Sequence, residues 1–289
     1  MRGNERSVWR RAAGYIMDLN TITAVERPTS REALPAWREG DTFLAGGTWL
    51  FSEPQPLLTR LIDLSTLQWQ PLRASDAGLE IAATCTIAQL DSFAAAPSWT
   101  AAPLIGQCCR AFLASFKIWN AATVGGNIVM SLPAGPMISL TCALDGELLL
   151  WGPDGGERRM PVADIVTGNN KNALTPREIV RAIHLPAAAL TRRTAFRQIS
   201  LTTFGRSGAL IIGTLDATGV FILTVTASTP KPYQFRFDAL PGAEELAARI
   251  DSGVAGDWFN DIHGLPAWRR DMTLHFACEI LAELGGGAR

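Results

Sequence analysis

Two paired glycines, Gly46-Gly47 and Gly125-Gly126, are the residues whose type and spacing most suggest ligand chemistry. The first pair stands in Leu44-Ala45-Gly46-Gly47-Thr48-Trp49, directly after an apolar run that reads as a strand. The second stands in Thr123-Val124-Gly125-Gly126-Asn127-Ile128. Glycine enters positive φ without steric penalty and lets a ligand approach bare peptide N–H groups. Consecutive N–H groups in such a turn form a concave anion site that holds a phosphate without a cationic side chain. Thr48 and Thr123 add hydroxyl donors and Asn127 a side-chain amide. Either pair alone reads as a tight turn or a bulge. Two such turns together point to a cofactor with a pyrophosphate. Neither stretch has the Lys-Ser/Thr of a P-loop or the G-x-G-x-x-G spacing.

No other constellation competes. His184, His263 and His275 are scattered, without a neighbouring nucleophile and without metal-ligand spacing. Glu244-Glu245 lies at a helix start, where carboxylates favour the helix dipole. The cysteines, Cys85, Cys108, Cys109, Cys142 and Cys278, include no C-x-x-C, so no zinc or iron–sulfur framework is predicted. Cys108-Cys109 lies in an apolar helical stretch and reads as core filling. With no side-chain catalyst and no metal site predicted, a bound cofactor is expected to carry the reactivity.

A chain of 289 residues, 47% apolar, buries a large core and is expected to form two or three subdomains. A formal net charge of −1 leaves no basic surplus for nucleic acid. No segment reaches the roughly 18–20 apolar residues of a membrane span. Residues 1–16 contain Arg10-Arg11, but the apolar run behind it is interrupted by Asp18, so an irregular extension is expected rather than a signal peptide. An odd cysteine count without spacing fits a reducing compartment, and the cytoplasm is the expected location.

The elements that must position the two glycine stretches follow from pattern. Thr29-Ser30-Arg31-Glu32 has the form of a capping box and predicts a short helix ending near Gly40. Residues 42–45 and 60–64 read as strands, which makes the first part a small α/β unit presenting Gly46-Gly47. Residues 79–83 read as a strand and Thr86 as the cap of a helix reaching residue 93. A longer apolar helix over residues 101–113 leads to Trp119, Asn120 and the second glycine pair. Pro136 opens a helix. Residues 147–151 and 157–161 form a hairpin around Gly152-Pro153-Asp154-Gly155-Gly156. A strand over residues 179–185 ends at Pro186, and residues 186–193 read as a domain boundary. Residues 194–199, 209–215 and 220–227 then read as a three-stranded antiparallel meander. Helices follow over residues 243–250 and from Pro266 to Leu284, with Gly285 as C-cap. Met272, Phe276, Ile280 and Leu284 recur at helical spacing and are expected to face that sheet.

On these motifs the chain resembles the FAD-binding medium subunit of the molybdenum hydroxylases, the family of xanthine dehydrogenase, carbon monoxide dehydrogenase and aldehyde oxidoreductase. The family's A-G-G-T matches Ala45-Gly46-Gly47-Thr48, and its T-[IV]-G-G-N-[IL] matches residues 123–128. Its S-P-A-[GA]-D segment stands as Leu132-Pro133-Ala134-Gly135-Pro136. A helix and the strand start Leu144-Asp145-Gly146-Glu147-Leu148 follow, and L-x-P-x-E-[IL]-[IL] appears as Leu174-Thr175-Pro176-Arg177-Glu178-Ile179-Val180. The likeness runs from about Met17 to the C-terminus. Pro136 replaces the family's acidic residue and cannot hydrogen-bond to a sugar. Trp49 replaces a small or polar residue.

The resemblance implies an α+β chain: a two-subdomain FAD-binding fold of the vanillyl-alcohol-oxidase-like (PCMH) type over residues 17–186, divided at about residues 74–75. A C-terminal domain over residues 187–289, with a three-stranded antiparallel sheet and helices, is implied to follow. It implies non-covalent FAD. Leu44, Ala45, Gly46, Gly47, Thr48 and Trp49 would hold one part of the pyrophosphate, and Thr123, Val124, Gly125, Gly126 and Asn127 the other. Leu174 matches a position near the isoalloxazine, and Arg197 a positive charge near its redox end. Trp119 invites a flavin-stacking reading beside one of plain packing. The implied role is electron transfer from the [2Fe–2S] clusters of a small subunit, fed by a molybdenum cofactor on a large subunit, to NAD⁺ or another acceptor. The alternatives are a stand-alone FAD-dependent oxidoreductase and a scaffold subunit that has lost FAD, the latter favoured by Pro136 and Trp49.

Overall fold

The computed structural model describes residues 19–286, so the extension expected over residues 1–16 lies outside the described residues. Two compact units divide the chain, one ending at Gln68 and the other starting at Trp69.

In the first unit, β1 (Ala24–Glu26), β2 (Asp41–Leu44) and β3 (Arg60–Asp63) form a parallel sheet in the order β1-β3-β2. Arg60 opens the central strand, in register with Ala24 on one side and Asp41 on the other. Its buried guanidinium grips the Asp41 carboxylate from Nε at 2.8 Å and Nη2 at 2.6 Å, and also donates to the Ala36 carbonyl at 2.8 Å. The two-point charge-assisted contact holds the Asp41 carboxyl below its usual range and ties the chain entering β2 to the sheet. The helix expected after Thr29 does not form. The Ser30 hydroxyl accepts from the Ala33 N–H at 3.3 Å in a single turn, and the chain runs on irregularly to β2. Pro28 and Pro35 leave only six residues between them, and Pro35 turns Leu34 away from the helical region, so the costly first turn is never repaid by propagation.

The second unit begins with β4 (Leu72–Ser75) and β5 (Gly78–Ala82). The helices α1 (Ile87–Asp91), α2 (Ala102–Ala111), α3 (Phe116–Trp119), α4 (Val124–Val129) and α5 (Pro136–Ala143) follow. The hairpin β6 (Glu147–Trp151) and β7 (Glu157–Pro161) matches its expected bounds, and α6 (Val162–Ile165), β8 (Val166–Gly168) and β9 (Lys171–Asn172) lead on to β10 (Ile179–Pro186). One sheet, in the order β4-β5-β10-β6-β7 and antiparallel throughout, backs these helices. Thr86 caps α1 as expected, and the structure adds Gln89, which completes a capping box. Cys108 and Cys109 are fully buried in the core.

After α7 (Ala187–Leu190) come β11 (Arg193–Ile199), β12 (Ala209–Leu215), β13 (Phe221–Thr226) and β14 (Tyr233–Phe237), and then α8 (Ala243–Val254) and α9 (Pro266–Leu284). The sheet has four antiparallel strands rather than three. β14 escapes the sequence reading because Pro230 and Pro232 precede it and only Phe235 of it is buried. Alternate residues of β12 serve two cores. Leu210 and Ile212 pack with α5 and the β5–β10 region, while Ile211 and Leu215 pack with Phe276, Ile280 and Leu284 of α9. Gln234 donates to the Cys142 carbonyl at 2.8 Å, and the Ser139 and Thr226 hydroxyls meet at 2.7 Å. Residues 186–193 lie inside the second unit. A strand buried on both faces joins what lies before it to what lies after it.

Candidate functional site

The first glycine stretch leaves the carboxyl end of β2, the edge at which parallel sheets of α/β units collect ligands. Phe43 of that strand is anchored by Trp37, with ring centroids 5.1 Å apart. One glycine of the pair is left-handed: Gly47 has φ +70°. The Gly47 carbonyl accepts from the Phe51 N–H at 2.8 Å, and the Trp49 carbonyl from the Ser52 N–H at 2.9 Å and its hydroxyl at 2.8 Å. Among the described residues, nothing accepts from the N–H groups of Gly46, Gly47 or Thr48. The loop thus engages the carbonyls of Gly47 and Trp49 and keeps three donors open, an arrangement that suits an oxyanion.

The second stretch is built differently, and here the sequence expectation of a second open turn is corrected. Thr123 is the N-cap of α4, and Gly125 and Gly126 lie inside its first turn with negative φ. Each N–H of that turn has a partner. Val124 donates to the Cys85 carbonyl at 2.9 Å, Gly125 to Ala83 at 3.0 Å, Gly126 to the Thr123 hydroxyl at 3.1 Å, and Asn127 to the Thr123 carbonyl at 2.9 Å. Close packing is what demands glycine at 125. A Cβ there would lie 2.5 Å from the Ala83 Cβ and 2.8 Å from its Cα. The donor left open is the Asn127 side-chain amide. Its oxygen accepts from the Met137 N–H at 3.1 Å at the start of α5, which fixes which end of the amide is NH₂, and that NH₂ donates to no described group.

Leu174 is half-buried at the edge of the second unit's core. Its N–H donates to Asn172 Oδ1 at 3.1 Å, and Asn172 Nδ2 donates to the Val129 carbonyl at 2.9 Å, so the structure ties the Leu174 segment to the C-terminal end of α4. Asn172 is missed in the sequence, where it is one of several polar residues in a turn. Arg197, the other position matched to the flavin ring, is paired within the chain. Its neighbour Phe196 packs against the core of the second unit, so Arg197 points to the opposite face of the sheet. There Nε binds Glu279 at 2.6 Å and Nη2 binds Glu283 at 2.8 Å, both on α9. Two carboxylates cancel the positive charge expected to act on a flavin. Trp119 packs against the core and donates Nε1–H to the Phe112 carbonyl at 2.9 Å, which accounts for it without a cofactor.

The glutamate of the Leu174-Pro176-Glu178 motif braces this segment. Arg158 holds Glu178 from Nε at 2.5 Å and Nη2 at 2.7 Å, and the Thr175 N–H adds 2.7 Å. The Arg158 bonds lead the causes that pull its carboxyl down to about 2, against 4.5 ordinarily, with burial opposing. A depressed carboxyl contributes stability that is present in full above pH 4.5 and is lost as the pH falls from there toward 2. With partial screening on the arginine side, about 2 kcal/mol is at stake. Urea unfolding from pH 7 down to pH 3 should show a steeper loss of stability for the native chain than for Glu178→Gln. Parallel curves would clear Glu178 of the effect.

A sequence model of the FAD-binding domain in molybdopterin dehydrogenases matches residues 22–188, more than half of the chain. The chain belongs to that family, whose members are flavoprotein components of oxidoreductases. No curated protein sequence matches it. Among solved structures, it is similar to carbon monoxide dehydrogenase from Hydrogenophaga pseudoflava lacking the Mo-pyranopterin moiety of its molybdenum cofactor. That match has a TM-score of 0.72 and 20% identity, over 92% of this chain and 98% of that one. Quinoline 2-oxidoreductase from Pseudomonas putida 86 superimposes with a TM-score of 0.74 at 17% identity, over 92% and 97%. Reconstituted CO dehydrogenase from Oligotropha carboxidovorans gives 0.73 at 20%, over 92% and 98%. At these identities the likeness establishes the α+β fold. No helix among the described residues is long and apolar enough to cross a membrane.

Proposed function

We propose that this chain is the electron-transfer subunit of a molybdenum-containing dehydrogenase. In this reading it receives electrons from [2Fe–2S] clusters on a small subunit, fed by a large molybdenum-cofactor subunit, and delivers them to NAD⁺ or another acceptor. Bound FAD supplies one- and two-electron chemistry that no amino-acid side chain offers. The chain's own part is to bind and orient it. Residues 44–49 offer open N–H groups to the diphosphate, residues 123–127 offer the oriented Asn127 amide, and Leu174 offers an apolar contact. The observation that carries the reading is the combination of the family match with the three unpartnered N–H groups at Gly46, Gly47 and Thr48. Reduced thiols and a cytoplasmic setting are part of the same proposal.

A second reading, a scaffold subunit that has lost FAD, has one observation on its side: the engaged N–H groups of the α4 first turn. Purification from the native host decides between them. Oxidised-flavin absorption together with molybdenum and iron in the eluate supports the first reading. Co-purifying metals with a colourless subunit supports the second. Flavin without metals or partners would instead indicate a stand-alone oxidoreductase.

A further inference from the structure

We infer that Phe51 is the positioning residue of the 44–49 loop: its ring and its peptide N–H together hold Gly47 in the left-handed conformation that leaves the neighbouring N–H groups open to an anion. The inference rests on the reading of that loop as a diphosphate-binding element. A Cβ built on Gly47 would lie 2.5 Å from Phe51 Cε2 and 2.9 Å from Cδ2 and Cζ, so the ring occupies the space a side chain at position 47 would need. The Phe51 N–H bonds the Gly47 carbonyl four residues back at 2.8 Å. One residue therefore acts on Gly47 twice, by backbone and by ring.

The ring is 49% exposed, so core burial alone does not explain its presence. What it covers is the face of Gly47. Without the ring, the loop is free to leave the left-handed turn, and the three open N–H groups are no longer ordered in advance. Pre-organised donors bind more tightly than donors that must first be ordered.

The test uses the full chain and titrates FAD, followed by quenching of flavin fluorescence, alongside the thermal midpoint of the apo protein. Phe51→Ala is expected to weaken FAD binding about tenfold or more while the midpoint stays within about 2 °C of the native value. Phe51→Tyr restores the ring and is expected to restore affinity. Gly47→Ala, strained at φ +70° and in collision with the ring, is expected to lose affinity further. If Phe51→Ala binds FAD normally while Gly47→Ala does not, the positioning role is wrong and the loop assignment stands. If both bind normally, the loop is not the diphosphate site and the inference falls with it. If Phe51→Ala loses affinity only in step with a lower midpoint, or Tyr fails to rescue, the ring is merely structural and the inference is overturned.

Discussion

Gly125→Ala is expected to destabilise the second unit by about 3 kcal/mol, the scale of a backbone forced apart by overpacking. In a unit of this size that is a fall of roughly 6–12 °C in the thermal midpoint. The added methyl would meet the Ala83 Cβ at 2.5 Å and the Ala83 carbonyl oxygen at 2.8 Å. Neither is the far end of a flexible side chain, so α4 itself must shift, at the cost of the Gly125–Ala83 and Val124–Cys85 bonds. The neighbouring substitution is the control. At Gly126 the close neighbour is the Thr123 hydroxyl at 2.8 Å, which can rotate away. Loss of that cap costs about 1 kcal/mol, and alanine in a helix returns about the same. Gly126→Ala is therefore expected to be close to neutral. Calorimetry on the two variants checks the contrast; equal effects would show that the Ala83 contact does not govern position 125.

Arg269→Met is expected to cost about 3–5 kcal/mol, because it leaves several buried acceptors without their shared donor. Arg269, on α9, is 1% exposed. It donates to the Gly264 carbonyl at 3.0 Å and the Gly208 carbonyl at 2.7 Å, and also to the Ala227 carbonyl and the Asp261 carboxylate. Three separate chain segments are thus pinned to one planar cation. Arg269→Lys is expected to recover little, since a single ammonium cannot reproduce the fork that reaches all four acceptors. Thermal unfolding gives the magnitude, and limited proteolysis around residues 257–265 locates it. A lysine variant as stable as the native chain would sink the argument.

The legible parts of this protein share a physical cause: they depend on residues near one another in sequence. Thr86 and Gln89 satisfy each other's orphan donors within one turn. The Gly-rich turn before Glu157 closes a hairpin of adjacent strands. Pro136 and Pro266 open helices, because a missing N–H costs nothing at a first turn. The Thr29 capping box fails for an equally local reason, two prolines with six residues between them, which outweigh a cap. β14 is passed over because its burial against α8 lies in contacts a linear pattern does not carry.

By itself the sequence determined the family, the α+β character and the helices and strands whose signals are local, because motif spacing and capping are properties of a few consecutive residues. The tertiary structure alone decided which donors stay open. The same Gly-Gly pair is a half-buried left-handed turn at Gly47 and a packed helix start at Gly125, because Ala83 lies against the second and no comparable backbone lies against the first. It also decided that Arg197 spends its charge on Glu279 and Glu283 of α9, some eighty residues further along the chain. Hydrogen-bond competition between distant segments fixes these outcomes, and it exists only once the chain has folded.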